Sequence, residues 1–268
     1  MSRPISDDLW APRPLPEGGA FHCRFGPLEF WLRRVDTDLI LHLRRDAAQE
    51  IICLVDDALP PADVKAGERF TYEGPLEQVR AIPMLPDRSI VVRPENALKV
   101  LNGQKTQFFV SIPLMIRVEL VGKNESDAMP VTDLITAVMS NTWFGDTMGG
   151  ELCYALKTTA KHRLDTVTRR KWRAICPVTV VNQSEKSLDL QRICVQSKHL
   201  GCYSGETLLW ANAVEVTHRA EKEELQVQFA QEAPVFEKIS RQLSEPREPV
   251  KKSFLRRGLS GFRMFAHI

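Results

Sequence analysis

The sequence predicts a mostly β protein: β-sandwich-like sheets in two packed halves, closed by one or two short C-terminal helices. Three observations carry this. Apolar and polar residues alternate over much of the chain, as in half-buried strands; in Asp38–Arg44, Leu39, Leu41 and Leu43 take one side and Ile40, His42 and Arg44 the other. Turn chemistry separates the runs, as in DALPPAD, LPD and NQS. Finally, Trp143–Phe229 shows hardly a helical period.

The elements follow in order. Residues 1–20, rich in proline and glycine, read as an extended arm. An N-terminal β domain is expected over 21–123, with strands at Leu28–Arg34, Asp38–Arg44, Ile51–Val55, Arg69–Tyr72, Gln78–Leu85 and Ser89–Arg93. Asn102-Gly103 is a strong hairpin signal because both residues tolerate positive φ. Pro113 interrupts Gln107–Val121 and predicts an edge position, a bulge or two strands. The polar run Lys123–Ala128 marks the expected boundary, and a C-terminal β domain is expected over 129–232. Val131–Met139 fits either a helix or a buried strand. Leu152, Tyr154 and Leu156 share one face, as do Trp172, Ala174, Cys176, Val178 and Val180. Leu188–Gln196 reads as one central strand, and Leu208–Val216 as one long strand broken in pattern by Asn212. Residues 233–268 are expected to hold a helix, with Pro234 at its first position and a stripe of Val235, Phe236, Ile239 and Leu243, and then a basic tail.

Composition narrows the class. With 268 residues, 43% of them hydrophobic and 26% charged, the chain suits a globular protein with a sizeable core. No apolar run reaches the roughly 20 residues of a spanning helix, and the first residues lack a secretory pattern. Six cysteines without that pattern read as reduced thiols in a cytoplasmic protein. Charge is uneven: residues 247–268 carry +5, leaving −3 for the rest of a chain of formal net charge +2.

The spacing of Asp133, Trp143-Phe144-Gly145, Gly150, Cys153-Tyr154, Lys157, Cys176-Pro177-Val178 and Asn182, with VSIPLMIRVEL before it, resembles an uncharacterised prokaryotic family, the domain-of-unknown-function family four-three-two of archaea and bacteria. This chain has Trp-Phe-Gly where that family carries Leu-Tyr-Gly-like letters. The resemblance implies no activity and covers roughly Val91 to Pro234, or the whole chain.

Four patterns could carry chemistry. Asp146 and Glu151, with Tyr154 nearby, flank a glycine turn where paired carboxylates could act as acid and base or hold a hard cation; turn grammar alone explains Asp146 equally well. Cys194, His199 and Cys202, with Cys176 or Cys153, are residue types that zinc selects, but their spacing matches no common knuckle and core packing accounts for them. Trp31, Trp143, Trp172, Trp210, Tyr154 and Phe109 could form a sugar platform, although aromatics on alternating strands belong more often to a core. In the tail, Lys251, Lys252, Arg256, Arg257, Phe262 and Arg263 interleave cations with apolar residues, which suits a protein partner or an anionic membrane surface better than nucleic acid. No nucleophile elbow, phosphate loop or dinucleotide fingerprint occurs, and no cofactor is implied. The expectation is therefore a binding or regulatory module acting with a membrane-associated partner through its tail. The competing expectation is a small-molecule hydrolase or metal-dependent enzyme centred on Gly145–Glu151.

Overall fold

The structure is a computed structural model and describes residues 7–46, 53–72, 78–122, 127–145, 147–219 and 224–250. Among these residues no α-helix forms, and helical structure is confined to single turns such as Asp7–Trp10 and Ser197–His199. The chain runs through β1 (Arg13–Pro14), β2 (Ala20–Phe25), β3 (Leu28–Val35), β4 (Asp38–Arg45), β5 (Cys53–Asp56), β6 (Ala66–Thr71) and β7 (Gln78–Met84). Next come β8 (Ile90–Val92), β9 (Leu98–Val100), β10 (Lys105–Pro113), β11 (Met115–Val121) and β12 (Met129–Ile135). Then follow β13 (Ser140–Phe144), β14 (Glu151–Ala155), β15 (Arg173–Asn182), β16 (Leu188–Leu190) and β17 (Ile193–Val195). The last five are β18 (Cys202–Gly205), β19 (Leu209–Ala211), β20 (Val214–Arg219), β21 (Glu224–Phe229) and β22 (Ile239–Ser244).

Two compact units result, each discontinuous in sequence. The first takes the chain up to Met84, then Pro113–Val138 and Arg170–Trp172; the second takes Leu85–Ile112, Met139–Arg169 and the chain from Arg173 on. The sequence expectation divided the chain into contiguous stretches at Lys123–Ala128. That loop instead joins β11 to β12, which are antiparallel neighbours within the first unit. Two of the five changes of unit, at Met84–Leu85 and Ile112–Pro113, fall inside apolar stretches where no polar linker marks them.

The first unit holds two antiparallel sheets, ordered β1-β7-β11-β12 and β5-β2-β3-β4-β6. Its core includes Phe21, Phe25, Phe30, Leu32, Ile116 and Val118. Residues 7–20, read as an arm, are tied down here. Trp10 is buried edge-on to Phe25 with centroids 5.4 Å apart, and Arg13 pairs with Val79 of β7. Gly26, with φ +61°, turns β2 into β3 against the Trp172 indole, where a Cβ would stand 2.2 Å from Cδ1. Val131–Met139 resolves as β12 up to Ile135, because its partner β11 supplies a ladder for Thr132–Ile135 and, past an irregularity at Val131, for Met129 and Pro130. Pro113 divides β10 from β11, one of the three outcomes its missing N–H allows.

Among the described residues of this unit the buried carboxylates are paired. Glu29, buried on β3, accepts Arg24 Nη2 at 2.5 Å and both Nε and Nη2 of Arg44, at 2.8 and 2.6 Å. His22 lies 3.2 Å from Glu29 Oε1 and 2.7 Å from Asp56 Oδ1, with its ring stacked on Trp31. Burial pulls the Glu29 pKa upward, but the hydrogen bonds from Arg24, Arg44 and His22 together outweigh it and hold the carboxyl below its usual value.

The second unit centres on β15. This strand pairs in parallel with β19 and β20 and also pairs with β10, within a sheet ordered β21-β20-β15-β19-β18-β22. The expected long strand Leu208–Val216 is two strands, because Asn212 turns its side chain to the backbone: Oδ1 accepts the Gly201 N–H at 2.7 Å, and Nδ2 donates to the Ala230 carbonyl at 2.8 Å. Leu188–Gln196 likewise splits, with β16 pairing β9 and β17 pairing β8, so it is not one central strand. The polar Gln191-Arg192 step lies at that division.

The helix expected from Pro234 to Leu243 does not form: Ile239–Ser244 is β22, antiparallel to β18. A four-residue apolar stripe is weak grounds for a helix when an open strand offers a ladder. Phe236 is held by stacking on Trp210 (5.9 Å) and by edge contact with Phe109 (5.0 Å). The helical spacing read in the tail falls on residues 251–268, outside the described residues.

Candidate functional site

The hairpin β13–β14 carries the glycine turn that the sequence singled out. Its register pairs Asn141 with Tyr154, Thr142 with Cys153, Trp143 with Leu152 and Phe144 with Glu151. Side chains alternate across a strand, so Trp143, Leu152, Asn141 and Tyr154 share one face, and Thr142, Phe144, Glu151 and Cys153 the other. The second is the inner face: Phe144 and Cys153 are buried, whereas Trp143 is 50% and Leu152 44% exposed. At the turn Met148 is 95% exposed. Leu152 and Tyr154 thus share the outward face, Cys153 is buried as its core reading expects, and Trp143 is not a core aromatic. Trp31, Trp172, Trp210 and Phe109 are buried, which removes them from any sugar platform.

On the outward face Tyr154 donates from its hydroxyl to Asp87 at 3.1 Å, and the Arg88 guanidinium lies 5.2 Å from its ring centroid. Burial and then the Asp87 charge push the Tyr154 pKa up, against Arg88 and Arg247. A phenol raised in this way is a hydrogen-bond donor, not a base at neutral pH.

The inner face meets β8 and β17, in a sheet ordered β13-β14-β8-β17. The parallel register of β14 with β8 (Tyr154 with Ile90) places Cys153 level with Ser89. The antiparallel register of β17 sets Cys194 opposite Val91. Ser89, Val91, Glu151, Cys153 and Cys194 therefore face the same way. The Glu151 carboxylate and the two thiols come within 4.8 Å of one another. Ser89 donates its hydroxyl to Glu151 Oε1 at 3.1 Å, and Cys194 Sγ stands 4.0 Å from the same oxygen. Burial pushes the Cys194 thiol pKa well up, and the neighbouring Cys153 and Glu151 add to the rise while Ser89 opposes it.

The remaining sequence candidates fall elsewhere. Asp146 lies outside the described residues, so the geometry of the Asp146/Glu151 pair is not described. His199 carries its proton on Nδ1, because that atom is 2.7 Å from the Glu248 carbonyl, which can only accept; its ring packs on Phe229. Cys202 sits on β18 between Ala211 and Ser244, and Cys176 directs its sulfur to the Asn212 carbonyl at 3.4 Å. Cys194 thus joins Cys153 and Glu151, not His199 and Cys202. Desolvation raises the thiols of Cys176 and Cys202 far above their ordinary value, as for inert core cysteines. Lys251, Lys252, Arg256, Arg257, Phe262 and Arg263 lie outside the described residues. Sequence reasoning missed Ser89 and the meeting of Glu151 with the thiols, for which the only local signal was the alternation Glu151-x-Cys153.

No helix among the described residues is long and apolar enough to cross a membrane. No curated protein and no solved structure matches the chain. The pattern of the protein family of unknown function DUF432 matches residues 9–264, nearly the whole length, and the chain belongs to that family.

Proposed function

We propose that the protein is a β-rich binding or regulatory module that engages a membrane-associated protein partner, with the outward face of β13–β14 as the apolar contact and the basic C-terminal residues as the charged one. The observation that carries this reading is the cross-strand Trp143–Leu152 pair, half-exposed on the hairpin whose first strand forms the edge of its sheet. Large apolar side chains presented together on a surface are typical anchors of protein interfaces, tryptophan above all. The +5 of residues 247–268 supports the second contact, since each cation near an anionic surface contributes about 1 kcal/mol.

The test is a pull-down from detergent-solubilised membranes, run beside co-sedimentation with phosphatidylserine vesicles. Four proteins are compared: the full chain, W143A, L152A and a chain ending at Val250. Loss of one defined partner in W143A and L152A, with vesicle binding lost only on truncation, is the expected result. Identical retention by all four proteins and no tail-dependent vesicle binding would refute the reading.

A further inference from the structure

The inner face of the same hairpin presents a different chemistry. Two buried thiols and a half-buried carboxylate converge from β14 and β17, three donors from strands that are not adjacent in the sheet. The buried carboxylates of the first unit each face an arginine: Glu29 has Arg24 and Arg44, Asp38 has Arg69, and Glu119 has Arg80 at 2.8 Å. Glu151 differs. Among the described residues its carboxylate is met by the Ser89 hydroxyl and the Cys194 thiol, with no Lys, Arg or His pairing with it. A carboxylate and two thiols gathered without a side-chain cation are what a metal site looks like before the ion enters.

We propose that Glu151, Cys153 and Cys194 bind one zinc-class divalent cation, with Ser89 orienting the carboxylate.

Donor type and spacing both fit. Thiolates select zinc over magnesium or calcium, and a carboxylate oxygen completes a three-residue set that leaves the fourth tetrahedral position for water. With Zn–S near 2.3 Å and Zn–O near 2.0 Å, tetrahedral geometry places sulfur and oxygen about 3.5 Å apart and two sulfurs about 3.8 Å apart. The Cys194 sulfur is already 4.0 Å from Glu151 Oε1, and all three donor atoms lie within 4.8 Å of one another. Closing onto an ion therefore needs side-chain shifts of about half an ångström to one ångström. Each thiol releases its proton to solvent as it binds, and two thiolates with one carboxylate around a dication leave a net charge of −1. Because the donors come from β14 and β17 with β8 between them, the ion would clamp the hairpin to its sheet. The proposal goes beyond the partner reading and stands without it.

The experiment uses the full chain, purified reduced and without chelator. Metal content is measured on the wild type, and Co2+ is then titrated into metal-stripped protein. About one zinc per chain is expected, and cobalt should give thiolate-to-metal charge-transfer absorption with the visible bands of a tetrahedral ion. C153S and C194S should abolish the charge-transfer band or weaken it severalfold. E151Q should weaken cobalt binding, and C202S, whose thiol lies outside the cluster, should leave the spectrum unchanged. If a serine variant fails to fold, the wild-type spectrum and E151Q still decide. Wild-type protein that holds no stoichiometric metal and gives no cobalt–thiolate band overturns the proposal. So does a band that survives both serine variants, or a Cys153–Cys194 disulfide found in place of the site.

Discussion

Asn182 closes β15 and is fully buried, and its amide has every hydrogen-bonding position filled. Nδ2 donates to the carbonyls of Val100 and Lys186, both at 2.8 Å, and Oδ1 accepts from the Ser184 N–H at 3.0 Å and the Ser184 hydroxyl at 2.8 Å. One side chain thus fixes the turn after β15 and ties it to β9. Asn182→Leu keeps the number and branching of side-chain heavy atoms, with somewhat more bulk, and removes all of this. The Ser184 hydroxyl and the Lys186 carbonyl retain each other at 2.8 Å, so the groups that lose a partner are the Val100 carbonyl, the Ser184 N–H and His218 Nδ1, which lies 3.4 Å from Oδ1. Each stranded buried group costs about 1–3 kcal/mol, so a loss of about 3 kcal/mol is expected, or a fall in Tm of about 6–12 °C. Asn182→Asp is the sharper probe. It preserves shape and Oδ1 but turns a donor into a buried anion aimed at two carbonyl oxygens, so it should cost more than the leucine variant. Urea unfolding followed by circular dichroism measures both. A loss under about 1 kcal/mol for Asn182→Leu, or an aspartate variant milder than the leucine one, would refute the donor argument.

Two further stability predictions follow from charged acceptors. Glu237 accepts from the Thr207 N–H at 2.5 Å, the Thr207 hydroxyl at 2.7 Å and the buried Trp210 indole N–H at 2.6 Å, so it pins the segment before β22 to the β18–β19 turn. Glu237→Ala should cost about 2–4 kcal/mol, and Glu237→Gln, which keeps an acceptor for Trp210, distinctly less; thermal unfolding with tryptophan fluorescence reads both. Glu29 should give the first unit an acid-labile component. Its folded pKa is lowered below the usual 4.5, so its contribution is fully present above that value and is lost as pH falls through the lowered one. Glu29→Gln should therefore be clearly less stable than wild type near pH 7, and the gap should shrink as pH falls below 4.5. A gap independent of pH would show that the arginine pairing is not its source.

Alternation and turn chemistry made much of the fold legible. Leu39 and Leu41 are buried as their period demands, Trp172 to Val180 fill one buried face as read, and Pro113 breaks a strand as a residue without an N–H must. Where the reading failed, the local pattern was genuinely degenerate. Trp143 reads as core by the ordinary habit of aromatics on alternating strands, yet its face of the hairpin is the outward one. Burial of Cys153 is decided by what β8 and β17 place against it. Val235, Phe236, Ile239 and Leu243 satisfy a helical stripe, yet the open side of β18 captures Ile239–Ser244 as a strand.

The candidate site was legible only in pieces. The glycine turn, Glu151 and Cys194 each stood out as residue types, but Cys194 was grouped with its sequence neighbours His199 and Cys202. The sequence by itself determined the class: a β protein of this family, with a core of alternating strands and positive charge gathered at one end. Strand periodicity and charge are local properties, readable wherever they occur. Only the tertiary structure decided that residues 43 positions apart, Glu151 and Cys194, meet on one face of a sheet, and that the chain passes repeatedly between two units. Strand pairing is a choice among many possible partners, made by the packing of the whole chain, and no short stretch of sequence contains it.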